Sequence, residues 1–124
     1  MRVGIVGSRR RNTAYDRWLV FDLVAWCIRQ YGCPVIVSGG CPTGADFFAK
    51  QAARFYQLEL KEHLPQWGPQ PLSYREVRDR FYARNSLIAE DSDVLYALTV
   101  RGSPGGTDNT CDCMGFLGKP FYEI

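Results

Sequence analysis

Apolar residues along this chain come in two forms, short continuous runs and longer helical stripes. Val3 to Val6 is a short run, apolar on both faces, which predicts a buried parallel strand. It breaks at Gly7-Ser8-Arg9-Arg10-Arg11-Asn12. From about Tyr15 to Tyr31, Val20, Leu23, Val24, Cys27, Ile28 and Tyr31 recur on one helical face. Gly32 and Pro34 stop that helix. Val35 to Ser38 predicts a second strand, followed by a turn containing Gly39, Gly40 and Gly44. Ala45, Phe48, Ala49, Ala52, Ala53 and Tyr56 then mark a helix from about Thr43 to Tyr56.

Leu58 to Leu64 alternates weakly and predicts an edge strand. Pro65 to Pro71 is a loop. Ser73, with Glu76 three residues later, forms a capping-box pattern ahead of a helix over roughly Tyr74 to Glu90. Val77, Phe81 and Ile88 form its expected buried stripe. Val94 to Val100 predicts a fourth strand, Arg101 to Gly106 a loop, Thr107 or Asp108 the start of a short helix ending near Gly118, and Phe121 to Ile124 a last strand. This βαβαβαβαβ order with short connections predicts one α/β domain spanning residues 1–124. The expected core is a doubly wound parallel sheet of about five strands, order 3-2-1-4-5, with helices on both faces.

Composition changes this picture little. Hydrophobic residues make up 46% and charged residues 23%, as in an ordered globular chain. A net charge of +2 is too small to argue for nucleic acid or a membrane surface. Five cysteines, an odd number without disulfide-framework spacing, fit a reducing compartment. The start lacks an apolar signal region and no apolar run approaches the ~20 residues of a membrane span, so the expected location is the cytoplasm. Cys111 and Cys113 form C-x-C, which on a helix puts the thiols on different faces, and no metal or other cofactor is predicted.

In such sheets ligands bind beyond the carboxyl ends of the strands. The residues that fall there are Gly7, Ser8 and Arg9 after the first strand, and Ser38, Gly39, Gly40, Gly44 and Asp46 after the second. His63 and Trp67 follow the third; Arg101, Gly105, Gly106 and Thr107 follow the fourth. Glycine turns opening helices present backbone N–H groups to an anion, although glycine is also the ordinary turn residue. Asp46 is either a residue that suits a helix start or an acceptor for a ribose hydroxyl. Arg84 and Asn85 border the apolar face of the third long helix. They read either as ligand contacts or as an amide bonded to a loop carbonyl beside an arginine snorkelling outward. His63 is either a general acid/base or a packing residue, and Trp67 either stacks a base or covers the core edge. Arg75, Arg78 and Arg80 are expected on a solvated face.

Together, Gly7-Ser8-Arg9, Ser38-Gly39-Gly40 with Gly44-Ala45-Asp46, Pro65-Gln66-Trp67, Arg84-Asn85 and Pro104-Gly105-Gly106-Thr107 resemble the SLOG superfamily, and within it the small stand-alone Rossmann-like branch. That superfamily includes the Smf/DprA DNA-processing proteins and the LOG "lysine decarboxylase-like" nucleotide phosphoribohydrolases. The resemblance implies a nucleotide or nucleotide-derived ligand, with its phosphate at Gly105-Gly106-Thr107, and a possible homodimer. LOG enzymes carry P-G-G-x-G-T-x-x-E, whose glutamate helps cleave an N-glycosidic bond. Here Thr110 stands in place of that glutamate, so the phosphate cradle carries over and the catalytic acid does not.

Three functions follow for test: a binding or sensing domain without chemistry, a hydrolase of a nucleoside-phosphate N-glycosidic bond with Asp46 as its carboxyl, and a DNA-binding protein. The near-neutral charge argues against DNA, since only Arg9-Arg10-Arg11 is a basic cluster.

Overall fold

The computed structural model of the chain describes residues 1–102 and 105–124. Ser103 and Pro104, part of the expected loop after the fourth strand, lie outside the described residues. Five strands, β1 (Arg2–Gly7), β2 (Val35–Ser38), β3 (Leu60–Glu62), β4 (Val94–Leu98) and β5 (Phe121–Glu123), alternate with helices α1 (Ala14–Tyr31), α2 (Ala45–Phe55), α3 (Tyr74–Asp91) and α4 (Gly106–Phe116). All neighbouring strands are parallel, in the order β3-β2-β1-β4-β5, as the pattern of short runs predicts.

β4 and the Val3–Val6 stretch of β1 are buried runs because both of their faces are covered. Val3, Ile5, Ile36 and Leu98 meet Val20, Val24 and Cys27 of α1 and the alanine-rich face of α2. On the other face Val6, Val37, Leu95 and Ala97 meet Ile88 and Ala89 of α3 and Cys111 and Met114 of α4. Burial pushes the Cys27 and Cys111 thiols up to about 11, which leaves them packed as neutral groups.

Capping residues fix where two helices begin. At α3 the Ser73 hydroxyl accepts the Glu76 amide at 3.1 Å while the Glu76 carboxylate accepts the Ser73 amide at 3.2 Å. At α1 Thr13 and Asp16 make the same reciprocal pair, and Asp16 also accepts Arg11 Nε at 2.8 Å. The third strand is shorter than its alternating sequence, three residues from Leu60 to Glu62, because only these pair with β2.

Asp91, at the end of α3, ties three elements together. It receives Arg2 Nη1 at 2.6 Å, Lys61 Nζ at 3.4 Å and His63 Nε2 at 2.9 Å. Burial alone would raise its carboxyl, but the bonds from His63 and Lys61 and the Arg2 charge outweigh it and hold the group below its ordinary 3.8. A lowered folded value contributes stability above the unfolded pKa and loses it as pH falls through the folded one. Asp91→Asn is therefore expected to cost about 1–3 kcal/mol at pH 7. In urea denaturation the difference from wild type should shrink steadily below pH 3.8; a pH-independent loss would mean the ion pairs are not its source.

Candidate functional site

The carboxyl ends of β1, β2 and β4 open into a cleft of about 700 Å³. Its floor and one wall are the turns after these strands: Gly7, Ser8 and Arg9 after β1, Gly39 to Pro42 after β2, and Thr99 and Val100 with Gly105 to Asp108 around the start of α4. The opposite wall comes from Leu64, Pro65 and Trp67 after β3 and from the first half of α3.

The sequence-derived candidates divide in two. Gly7, Ser8, Arg9, Gly39, Gly40, Asp46, Arg84, Asn85, Gly105, Gly106 and Thr107 line the cleft. Ser38 and Gly44 do not. Ser38 is wholly buried at the end of β2, where its hydroxyl accepts the Gly40 amide at 3.3 Å and shapes the turn from below. Gly44 sits behind the turn with φ of 77°, a left-handed conformation that favours glycine, and its N–H donates to Asn12 Oδ1 at 3.0 Å.

A chain of hydrogen bonds crosses the cleft floor and joins the two glycine turns. Arg84 Nη1 donates to Gly39 O at 2.6 Å, and Arg84 Nε donates to Asn85 Oδ1 at 3.0 Å. Asn85 Nδ2 donates to Gly106 O at 3.1 Å and to Asn109 Oδ1 at 3.2 Å. Asn85 thus bonds a loop-proximal carbonyl, and Arg84 turns inward where the sequence also allowed it to snorkel out. Arg84 Nη2 meets no hydrogen-bond acceptor among the described residues. At α4 the first N–H groups have no intrahelical acceptor, and the helix dipole adds partial positive charge there.

Asp46 is buried in the first turn of α2, and its Oδ2 accepts the Cys41 amide at 3.0 Å. Burial pushes its carboxyl up, while the Cys41 amide, the Arg84 charge and the Gly39 amide pull it back. Burial likewise lowers the Arg84 guanidinium against the favourable charge of Asp46. The carboxylate therefore braces the glycine turn as well as lining the cleft.

Other expectations change. Val77 and Phe81 are only partly buried and line the cleft; of the expected stripe, Ile88 alone is core. The first turns of α3 overhang the strand ends and have no sheet beneath them. Arg78 also lines the cleft, beside Tyr82, whereas Arg75 is exposed. His63 points its ring at Asp91, outside the cleft lining. Arg11 faces inward, donating to Asp16 Oδ1, Thr99 O and Ile124 O at 2.8 Å each, so the three consecutive arginines do not form one basic strip. Thr110, at the LOG glutamate position, spends its hydroxyl on Gly106 O at 3.1 Å.

The sequence reading missed Leu64, Tyr74 and Tyr82 as cleft residues. Their signal was the aromatic pattern Tyr74, Phe81, Tyr82 on a helix that begins beyond a proline-rich loop. Among the described residues no group of three or more His, Cys, Asp or Glu side chains stands where it could hold a metal ion. No described helix is long and apolar enough to cross a membrane.

No protein-family model matches this chain, and no curated protein does. Solved structures share its fold. The molybdenum cofactor binding protein from the phototrophic bacterium Rippkaea orientalis superposes with a TM-score of 0.73 at 21% identity, over 98% of this chain and 74% of that one. The molybdenum cofactor carrier protein MCP from Chlamydomonas reinhardtii gives 0.70 at 19% identity, over 98% and 74%. The C-terminal domain of a hydrogenase from Pyrococcus furiosus gives 0.53 at 13% identity, over 98% and 89%. At these identities the shared property is the fold, a parallel Rossmann-like sheet compatible with the SLOG-type expectation.

Proposed function

We propose that this chain binds a phosphate-bearing small molecule, of the nucleotide or nucleotide-derived class, in the cleft at the strand ends, and holds it without transforming it. The observation that carries this reading is the Arg84-Asn85 bridge between the two glycine turns. It holds a guanidinium against the Gly39 turn and ties Asn85 to Gly106 at the start of α4, so charged and backbone donors face one cleft before any ligand arrives. The cleft volume is in the range of small-molecule sites. The molybdenum cofactor proteins that share the fold add that cofactor to the ligands worth testing. A place in the SLOG superfamily is part of the same proposal.

A second reading keeps a hydrolase in view, because a buried carboxyl with a raised pKa suits a general acid. Its bond to the Cys41 amide and the loss of the LOG glutamate at Thr110 weigh against it. Binding of DNA is disfavoured by the inward turn of Arg11.

Thermal shift and calorimetry with AMP, ADP-ribose and the molybdenum cofactor test the proposal. At least one should raise the melting temperature increasingly with ligand concentration, the added stability reaching about 2.7 kcal/mol at a free ligand concentration of about a hundred times Kd. Unchanged melting with every phosphate-bearing compound would remove the proposal. In the same samples, chromatography should find no released free base. Release that disappears in Asp46→Asn would instead make the chain a hydrolase.

A further inference from the structure

The overhanging half of α3 poses a question that phosphate binding leaves open. A helix normally buries its apolar stripe against a neighbouring layer. Here Val77 and Phe81 face the cleft instead, and Ile88, two turns further on, is the first large residue of the stripe to reach the core. The loop after β3 comes down on this surface: Trp67 meets Phe81 edge to face, with ring centroids 5.1 Å apart and planes at 89°. Trp67 lines the cleft and remains 38% exposed. Two guanidiniums lie over the Phe81 ring, Arg84 Cζ at 5.5 Å and Arg9 Cζ at 5.9 Å from its centroid. The cleft is thus two-sided, with donors at the strand ends and aromatic surface along α3.

We infer that Trp67 and the overhanging half of α3 form a stacking wall for a flat heterocycle, a nucleobase, carried by the phosphate-bearing ligand. The inference rests on the proposed phosphate-ligand reading and deepens it. Flat rings gain from offset or edge contacts with aromatic side chains, and the flanking guanidiniums add planar, cationic stacking partners. A sugar phosphate without a ring would satisfy the donors and leave the wall bare. The polar and apolar halves are continuous, so one molecule can span both.

Calorimetry with AMP, GMP, ribose 5-phosphate and inorganic phosphate tests this on the intact chain, with Trp67→Leu as the variant. The expected result is that at least one ring-bearing phosphate binds about tenfold or more tightly than ribose 5-phosphate. It should also quench tryptophan fluorescence in wild type, a change absent from Trp67→Leu, whose emission comes from Trp18 and Trp26. In that variant the preference for the ring should collapse toward unity. Equal affinity of wild type for ribose 5-phosphate and the ring-bearing compounds would overturn the stacking wall while leaving phosphate binding standing. A full ring preference retained in Trp67→Leu would overturn it too. Absence of binding by all four probes would overturn both readings together.

Discussion

Arg84→Gln is expected to lower affinity for the phosphate-bearing ligand by about a hundredfold, the consequence of removing one charged, hydrogen-bonded partner from a site already desolvated. Arg84 is half-buried, and two of its three nitrogens are committed to Gly39 O and Asn85 Oδ1. Its remaining edge is therefore held where a long flexible side chain on the surface could not be, and little ordering entropy is left to lose on binding. Arg75→Gln on the exposed part of the same helix is the control and should change affinity little. Calorimetry decides between them, and an Arg84→Gln affinity within about twofold of wild type would show that α4 alone carries the anion.

The same substitution has a pH signature. Burial raises the Asp46 carboxyl, and the Arg84 charge is one of the groups opposing that rise. Without the guanidinium the folded pKa rises further. A raised carboxyl costs stability as pH climbs from its unfolded value to its folded one, because the unfolded chain ionises before the buried group does, and costs nothing below the unfolded value. Arg84→Gln should therefore melt close to wild type near pH 4 and fall progressively behind it toward neutrality. Adding Asp46→Asn should recover much of the neutral-pH stability without recovering affinity, which separates a damaged fold from a damaged site.

Much of the fold is legible in the sequence because its signals are local. Continuous apolar runs at Val3–Val6 and Val94–Leu98 announce strands covered on both faces, and the Ser73/Glu76 pair marks the first turn of α3. Thr13 and Asp16 carried the same signal for α1. The site was legible as a set of strand-end turns, but its wiring was not. Periodicity gives the face of a helix on which Val77 and Phe81 lie; it does not say that the sheet ends before reaching them. Asn85 and Gly106 are twenty-one residues apart, and nothing local joins them. Arg9, Arg10 and Arg11 read as one basic run, yet Arg11 is drawn inward by the Asp16 carboxylate and two backbone carbonyls.

Gly39→Ala should damage fold and site together. A Cβ at Gly39 would lie 2.5 Å from Arg84 Nη1, 2.9 Å from Arg84 Cζ and 2.9 Å from Asp46 Oδ2. None of these distances is tolerable for a carbon. The guanidinium cannot retreat freely, since its bonds to Gly39 O and Asn85 hold it, and Asp46 is held by the Cys41 amide. Overpacking of this kind costs about 1–3 kcal/mol, visible as a lower urea midpoint with an unchanged slope. If Arg84 is the group that yields, affinity falls with stability, and Gly39→Ala added to Arg84→Gln costs less than it does alone. Gly105→Ala supplies the contrast: its backbone is extended and none of the described residues comes within 4 Å of the added carbon. Its stability should stay within about 0.5 kcal/mol of wild type. Equal losses at Gly39 and Gly105 would mean that backbone freedom matters at both turns, and that the close approach of Arg84 and Asp46 to Gly39 is not what the chain depends on.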